Sequence, residues 1–141
     1  MKWSAEKVRE AVRNGENSFV EFKTLPVRPE SVAKELTAFS NFKGGVIFLG
    51  VSDDGAIAGA NQENLEEWAM NIASDLVEPV VIPSYQEVKM DSGTVAVVEV
   101  DSGVSKPYAL KKGPHRTYYI RVGSTSRIVD RDQWPRLSRP D

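Results

Sequence analysis

Residues 44 to 55 read Gly44-Gly45-Val46-Ile47-Phe48-Leu49-Gly50-Val51-Ser52-Asp53-Asp54-Gly55. A short apolar run bounded by turn residues is typical of a buried strand, and Asp-Asp-Gly is typical of a turn. The two carboxylates that close the run should therefore lie at the rim of a sheet. This stretch predicts a buried strand with acidic groups at its end.

A second acidic stretch, Gly15-Glu16-Asn17-Ser18-Phe19-Val20-Glu21-Phe22-Lys23, comes earlier in the chain. Because side chains alternate along a strand, Glu21 and Lys23 should share one face, with Val20 and Phe22 on the other. The second stretch therefore predicts a strand that presents an acid and a base side by side.

Helical and extended patterns alternate along the rest of the chain. Apolar residues recur at helical spacing over about 4 to 14, 32 to 39 and 65 to 76, and Gly44-Gly45 is expected to end the second helix. Extended patterns cover 80 to 82, 85 to 90, 94 to 100 and 117 to 122. The length of 141 residues suits one hydrophobic core. We predict a single α/β (α+β) domain over residues 1 to 141, with a mixed, mostly antiparallel sheet flanked by helices.

Composition excludes several classes of site. The chain has no cysteine, which rules out disulfides, thiolate metal sites and cysteine nucleophiles. Its one histidine, His115, cannot build a histidine-rich zinc site. No apolar run approaches the ~20 residues of a membrane span, and the amino terminus lacks a secretory apolar core. The sequence predicts a soluble cytoplasmic protein without a membrane partner.

Charge is distributed unevenly along the chain. Residues 1 to 105 hold 9 Lys and Arg against 17 Asp and Glu, whereas residues 106 to 141 hold 9 against 3. A basic segment with interspersed tyrosines can neutralise phosphates and stack on unpaired bases. The alternative is that the basic end pairs with the acidic remainder of the same domain. The candidate nucleic-acid contacts are Lys106, Lys111, Lys112, Arg116, Arg121 and Arg127.

Three acids, Glu16, Glu21 and Asp54, are the candidate ligands of a divalent metal. Carboxylate oxygens suit Mg²⁺ or Mn²⁺, which proteins hold with one or two carboxylates plus water and substrate phosphate. Lys23 would lie on the same side as Glu21 and could stabilise developing negative charge. The alternative is a surface ion pair between Glu21 and Lys23, with Asp53 and Asp54 only building a turn.

Five motifs in a fixed order resemble the Schlafen Alba-type domain over about residues 10 to 128. They are Glu16-x4-Glu21-Phe22-Lys23, then Ala38-Phe39-Ser40-Asn41 running into Gly44-Gly45, then Gly50-Val51-Ser52-Asp53-Asp54-Gly55-x3-Gly59, then Lys106-Pro107-Tyr108, and finally Tyr119-Ile120-Arg121-Val122-Gly123-Ser124-Thr125.

This resemblance implies an α/β domain that handles nucleic acids. In animal Schlafen proteins, two such units form a basic clamp that cuts structured RNA such as tRNA, using two glutamates, an aspartate and a divalent metal. Matched by motif, these catalytic residues are Glu16, Glu21 and Asp54, with Asp53 as the less favoured alternative to Asp54. We expect Lys23, on the same side as Glu21, to assist them. The resemblance thus implies a metal-dependent endoribonuclease that favours RNA over DNA. Because a single unit is half of that clamp, it also implies a homodimer.

Two other functions stay open. Many bacterial relatives carry this domain ahead of a winged helix and are regarded as transcription regulators, which implies a non-catalytic DNA- or RNA-binding module. The domain has also been labelled as ATP-binding. The sequence contains no P-loop motif, which does not support that label.

Overall fold

A computed structural model of the chain describes residues 2 to 134. The helices are α1 (Ala5–Asn14), α2 (Pro29–Asn41) and α3 (Leu65–Asp75), and a short 3₁₀ turn spans Arg131–Gln133. The strands are β1 (Val20–Lys23), β2 (Gly44–Leu49), β3 (Val77–Glu78), β4 (Ser84–Met90), β5 (Gly93–Asp101), β6 (Ala109–Lys112), β7 (His115–Val122) and β8 (Thr125–Val129). None of the helices within this part of the chain is long and apolar enough to cross a membrane.

The first sheet has the strand order β1-β2-β5-β4. Strand β1 runs parallel to β2, with Lys23 beside Leu49, and the other pairs are antiparallel. The apolar run from residue 46 to 49 is buried within β2, as the sequence predicted. Strand β1 is an edge strand, so one row of its backbone groups is left for other partners.

The two faces of this sheet pack against different helices. On one face, Phe22 and Phe48 pack with Val8 of α1. On the other face, Ile47 and Leu49 pack with residues of α2 and α3. This division follows from the alternation of side chains along β1 and β2. It sends the side chains of Glu21 and Lys23 toward α2, away from α1.

The second sheet is antiparallel and has the strand order β3-β6-β7-β8. Helix α2 contacts β2 and β5 of the first sheet and β6, β7 and β8 of the second. A helix enclosed between two sheets has little surface left for water, and α2 is accordingly buried from Val32 through most of its length. It carries polar groups into the interior, among them Glu35 and Asn41.

Asn41, the last residue of α2, ties the helix to the second sheet. Its side-chain amide donates to the carbonyls of Tyr108, at 2.8 Å, and Tyr119, at 2.7 Å. Its side-chain oxygen accepts from the backbone N–H of Tyr108 at 2.6 Å. The Asn41 side chain thus satisfies three backbone groups that would otherwise be unpaired in the interior.

The glycine pair has a different role from the one we predicted. Helix α2 ends at Asn41 with Phe42 as its cap, and Gly44 and Gly45 open β2. A Cβ on Gly45 would overlap the ring of Phe39, and one on Gly44 would lie 2.7 Å from the carbonyl oxygen of Val100. Close packing of the strand on α2 and β5 therefore requires both glycines.

The fold class is confirmed: the domain is α+β, with mostly antiparallel strands and flanking helices. The three helices and the β4–β5 hairpin fall close to their predicted positions. The prediction of a strand at residues 80 to 82 was wrong, because that segment is irregular. Strands β3, β6 and β8 were not predicted. The strands form two sheets, where we expected one.

Candidate functional site

Four charged side chains meet between β1, α2 and β7, and we call them the charge cluster: Glu21, Lys23, Glu35 and Arg121. Lys23 Nζ lies 2.9 Å from Glu35 Oε2 and 3.4 Å from Glu21 Oε2. Arg121 Nη1 lies 2.9 Å from Glu21 Oε1 and 3.2 Å from Glu35 Oε1. Two acids and two bases therefore alternate around one small interior site, where their charges largely offset one another.

Arg121 forms the inner wall of the charge cluster. Its side chain is 0% exposed, and its guanidinium lies over the ring of Phe39, 4.8 Å from the centroid. It also donates to the backbone carbonyls of Asn17 and Val20, at 3.0 and 3.1 Å. Arg121 therefore joins the turn before β1 to the second sheet. The sequence predicts that Arg121 contacts nucleic acid, but the structure places its side chain inside the domain, where it is buried.

Glu35 is the member of the charge cluster that the sequence analysis does not predict. It is buried in α2, and besides the two bases its carboxylate accepts from the hydroxyl of Ser126. The signal was present in the sequence, since Glu35 falls three residues after Val32 and four before Phe39, on the apolar stripe of α2. An acid on such a stripe requires a cationic partner.

Glu16 lies at the free edge of β1. Its Oε2 accepts the backbone N–H of Phe22 at 2.8 Å, which satisfies one of the edge amides. In its protonated form the carboxyl group of Glu21 is placed to donate a hydrogen bond to Glu16, which raises the pKa of Glu21. The structure therefore brings together Glu16, Glu21 and Lys23, three of the four residues that we predicted to be catalytic.

The Glu21 carboxyl group has an unusual proton affinity. Burial raises the pKa of Glu21 to about 7, with further contributions from the negative charge of Glu35 and the hydrogen bond with Glu16, while Lys23 opposes them. Its side chain keeps 12% of its surface exposed. A carboxyl group that titrates near neutral pH can both accept and release a proton under physiological conditions.

Asp54 lies apart from the two glutamates. It is in the turn after β2, where its Oδ1 accepts from the hydroxyl of Ser52 and from the N–H of Ala56. These hydrogen bonds, chiefly the one from Ser52, lower the pKa of Asp54. The next residue, Gly55, lies against Val12 of α1. The turn therefore lies on the α1 side of the sheet, whereas Glu21 points toward α2.

The predicted metal ligands fit a divalent cation only in part. Within residues 2–134, no group of three or more Asp, Glu, His or Cys side chains is arranged to hold a metal ion. Glu16 and Glu21 are adjacent, and Mg²⁺ needs no more than one or two protein carboxylates. Both oxygens of Glu21, however, already face cationic groups of Lys23 and Arg121. The structure provides a two-carboxylate pair, with Asp54 outside it.

Three of the predicted basic residues share the outer face of the second sheet, which points away from α2. Lys111 is directly opposite Arg116, and Arg127 is opposite Ile120, four residues further along β7 and on the same face of the sheet. Arg116 is paired with Glu78, at 3.0 and 3.1 Å. Arg127 is exposed. We call this surface the outer basic face; Lys111, Arg116 and Arg127 define it.

Two further side chains extend the outer basic face. Tyr118 is two residues after Arg116 on β7, so the two side chains lie on the same face of the sheet. Arg131 lies over its ring, 5.6 Å from the centroid. Arg131 was not among our predicted contacts, because its position beside Tyr118 depends on the turn that follows β8.

The remaining two predicted basic residues lie elsewhere. Lys112 is the last residue of β6 and pairs with His115. Its side chain therefore lies on the opposite face of the sheet from that of Lys111. Lys106 is in the loop before β6, and its Nζ donates to the carbonyl of Phe42 at 2.9 Å. The six predicted contacts thus do not form one continuous surface.

Two solved structures show the same fold at low sequence identity. The DIP2311 protein from Corynebacterium diphtheriae matches with a TM-score of 0.65 and 22% identity, over 83% of this chain and 23% of its own. The N-terminal domain of a RecG-related protein from Nitrosomonas europaea matches with a TM-score of 0.60 and 23% identity, over 87% of this chain and 91% of its own. The chain thus spans about a quarter of the first protein and nearly all of the second domain.

Sequence comparisons identify a family model but no individual curated protein. No curated protein matches the chain. The family model described as Schlafen, AlbA_2 matches residues 16–130, which include the charge cluster and the outer basic face. This match confirms the resemblance carried by the five motifs, and the chain belongs to the Schlafen, AlbA_2 family.

Proposed function

We propose that this domain binds nucleic acid through the outer basic face. The observation that carries the proposal is the placement of Lys111, Arg116 and Arg127 on one side of a three-stranded array, with Glu78 as the acid that pairs with Arg116. Basic side chains on a sheet face can neutralise successive phosphates of one strand. Tyr118, partly exposed among them, offers a ring on which a base can stack.

The family and one structural neighbour support this proposal. Resemblance to this family implies nucleic-acid handling. The neighbour is the N-terminal domain of a protein named as related to the ATP-dependent DNA helicase RecG. We expect RNA to be favoured over DNA, as in the animal members of the family.

The test is the salt dependence of binding. We would measure the fluorescence anisotropy of labelled single-stranded and hairpin RNA, and of matched DNA, over a range of salt concentrations. Because each neutralised phosphate contributes about 0.7 to 0.9 to the slope of log affinity against log salt, the double variant Lys111→Ala/Arg127→Ala should lower the slope by about 1.5.

The matched control is Arg9→Ala, which removes an exposed base from α1, far along the chain from the second sheet. It should leave affinity and slope unchanged. Equal slopes for the double variant and the wild-type protein would overturn the proposed surface. Binding that does not weaken with salt would overturn the phosphate contacts altogether.

A second candidate function is cleavage of structured RNA such as tRNA. The adjacent carboxyl groups of Glu16 and Glu21, with Lys23 beside them, favour it. Glu21 would take a proton from the attacking hydroxyl group and return it to the departing oxygen as the P–O bond breaks, and Lys23 would stabilise negative charge on the phosphate. A Mg²⁺ or Mn²⁺ ion bound at the two carboxylates would supply additional charge neutralisation at the phosphodiester.

Cleavage is tested by incubating tRNA with the protein and Mn²⁺ or Mg²⁺ and separating the products on a gel. We expect Glu21→Ala and Glu16→Ala to abolish cutting that the wild-type protein performs, and the partly exposed control Glu30→Ala to retain it. Asp54→Ala determines whether the third acid takes part. Equal cutting by wild-type protein and Glu21→Ala, or no cutting by either, would contradict the enzymatic proposal and leave the binding proposal standing.

A further inference from the structure

Two aromatic rings form an exposed platform beside the turn that precedes β1. The Phe19 ring is 47% exposed, and its centroid lies 5.8 Å from that of Phe42, with the ring planes tilted by 34°. A large apolar side chain left this accessible gains little stability from burial. Its exposure beside a second ring therefore suggests a partner with a flat apolar surface.

The platform is flanked by two lysines. Lys43 Nζ lies 5.6 Å from the centroid of the Phe42 ring, and Lys106 Nζ lies 2.9 Å from the Phe42 carbonyl oxygen. Both lysines are exposed. Paired rings beside two cations match the chemistry of a nucleotide, whose base is flat and whose phosphate is negative.

The backbone beneath both rings is held in place. The N–H of Phe19 donates to the Asn17 side chain at 2.8 Å, and its carbonyl accepts from Val46 at 2.8 Å. The Phe42 carbonyl accepts from the hydroxyl of Ser102 at 3.0 Å as well as from Lys106. A platform fixed in this way loses little conformational entropy when a ligand stacks on it.

A groove of about 300 Å³ adjoins the platform and is lined by Phe19, Lys43, Gly44 and Gly45 on one side. Glu99 and Asp101 also line it, and their carboxylates would repel a phosphate. The charges therefore place the phosphate at Lys43 and Lys106 and the base on the rings.

We propose that Phe19 and Phe42, with Lys43 and Lys106, form a stacking site for an unpaired base of a single-stranded nucleic acid. The inference rests on the proposed nucleic-acid binding and adds a second contact region to it. Phe19 is only two residues before Glu21 and three after Glu16 in the chain. A nucleotide on the platform would therefore lie next to the strand that carries the glutamate pair.

The test compares a short labelled single strand with a strand of equal length in which every base is replaced by an abasic site. Both strands carry the same phosphates, so their difference isolates the contribution of the bases. Stacking on one aromatic side chain changes affinity by roughly fivefold to a hundredfold. We expect Phe19→Ala to weaken binding of the base-containing strand by a factor in this range and to leave binding of the abasic strand unchanged. Phe19→Trp should restore the affinity.

Ile82→Ala is the matched control, because Ile82 is apolar, is 89% exposed and lies on a different segment of the chain. It should not change binding of either strand. If Phe19→Ala binds both strands as the wild-type protein does, the platform is overturned and the outer basic face is not. If the wild-type protein binds neither strand at low salt, the proposed function fails and the platform fails with it.

Light scattering on the same samples separates a nucleic-acid site from a protein contact. The predicted homodimer remains a prediction, and exposed rings could be part of its interface. A change from dimer to monomer caused by Phe19→Ala would overturn the stacking site, because the rings would then be covered by a second copy of the chain. An unchanged mass together with weakened binding supports it.

Discussion

At the scale of single residues, Glu21 and Asp54 show how neighbours determine the behaviour of a carboxyl group. Glu21 is enclosed by two other acids and two bases, and burial dominates its proton affinity. Asp54 is fully exposed in a turn and accepts two hydrogen bonds that favour its charged form. Glu21 is therefore suited to proton transfer, whereas Asp54 is suited to building the turn.

The raised pKa of Glu21 predicts a dependence of stability on pH. Glu21 binds its proton more tightly in the folded protein, with a pKa of about 7 against an ordinary value of 4.5. Its contribution to stability is therefore fully present below about pH 4.5 and is lost as the pH rises through about 7. Glu35 and Glu16 contribute to the raised pKa and Lys23 opposes it, while Arg121 also faces the carboxyl group, with Nη1 2.9 Å from Oε1.

Glu21→Gln should remove that contribution, since glutamine does not titrate. Between pH 5 and pH 8, the melting temperature of the wild-type protein should fall relative to that of Glu21→Gln by several degrees, because about 1 kcal/mol shifts it by roughly 4 °C in a domain of this size. Glu30→Gln, at a partly exposed position outside the charge cluster, should follow the wild-type profile. Parallel profiles for the wild-type protein and Glu21→Gln would contradict the raised pKa.

At the scale of elements, helix α2 organises the molecule because it packs against both sheets. Its buried polar residues make specific connections at its middle and at its carboxyl end. Glu35 holds Lys23 of β1 and Arg121 of β7, and Asn41 bonds to the backbone at Tyr108 and Tyr119. The position of the second sheet relative to the first is thus fixed by polar contacts as well as by apolar packing.

Asn41→Ala tests the connection at the end of α2. The substitution leaves three backbone groups without their partner, and each unpaired buried group costs about 1 to 3 kcal/mol. We expect the free energy of unfolding by urea to fall by roughly 3 kcal/mol or more. The control Asn71→Ala changes the same residue type at an exposed position of α3 and should cost less than ~0.5 kcal/mol. Equal losses for the two variants would show that the Asn41 side chain does not hold the sheet.

At the scale of the whole molecule, the charge asymmetry of the sequence is divided between the interior and the surface. Arg121 pairs with Glu21 and Glu35 in the interior. For this residue, the basic end of the chain does pair with acids of the same domain, which was the alternative to nucleic-acid contact. Arg116 pairs with Glu78 near the surface. Among the ion pairs of residues 2–134, none involves Lys111 or Arg127, the two bases that the double variant removes.

Local patterns were sufficient to predict much of the fold. Alternation along β1 correctly placed Glu21 beside Lys23, and helical spacing located all three helices. The strands that were not predicted are short or belong to the second sheet, where β6 and β8 carry charged residues on exposed positions. Their strand structure comes from pairing with β7, which no local pattern reveals.

The sequence by itself determined the strands β1 and β2, the adjacent charges on β1 and the family. Each of these depends on spacing along one continuous segment. Only the tertiary structure decided that Glu35 joins Glu21 and Lys23, that Arg121 is buried, and that the turn carrying Asp54 lies against α1. Those outcomes depend on which face of a strand meets which helix, and on pairing between segments far apart in the chain.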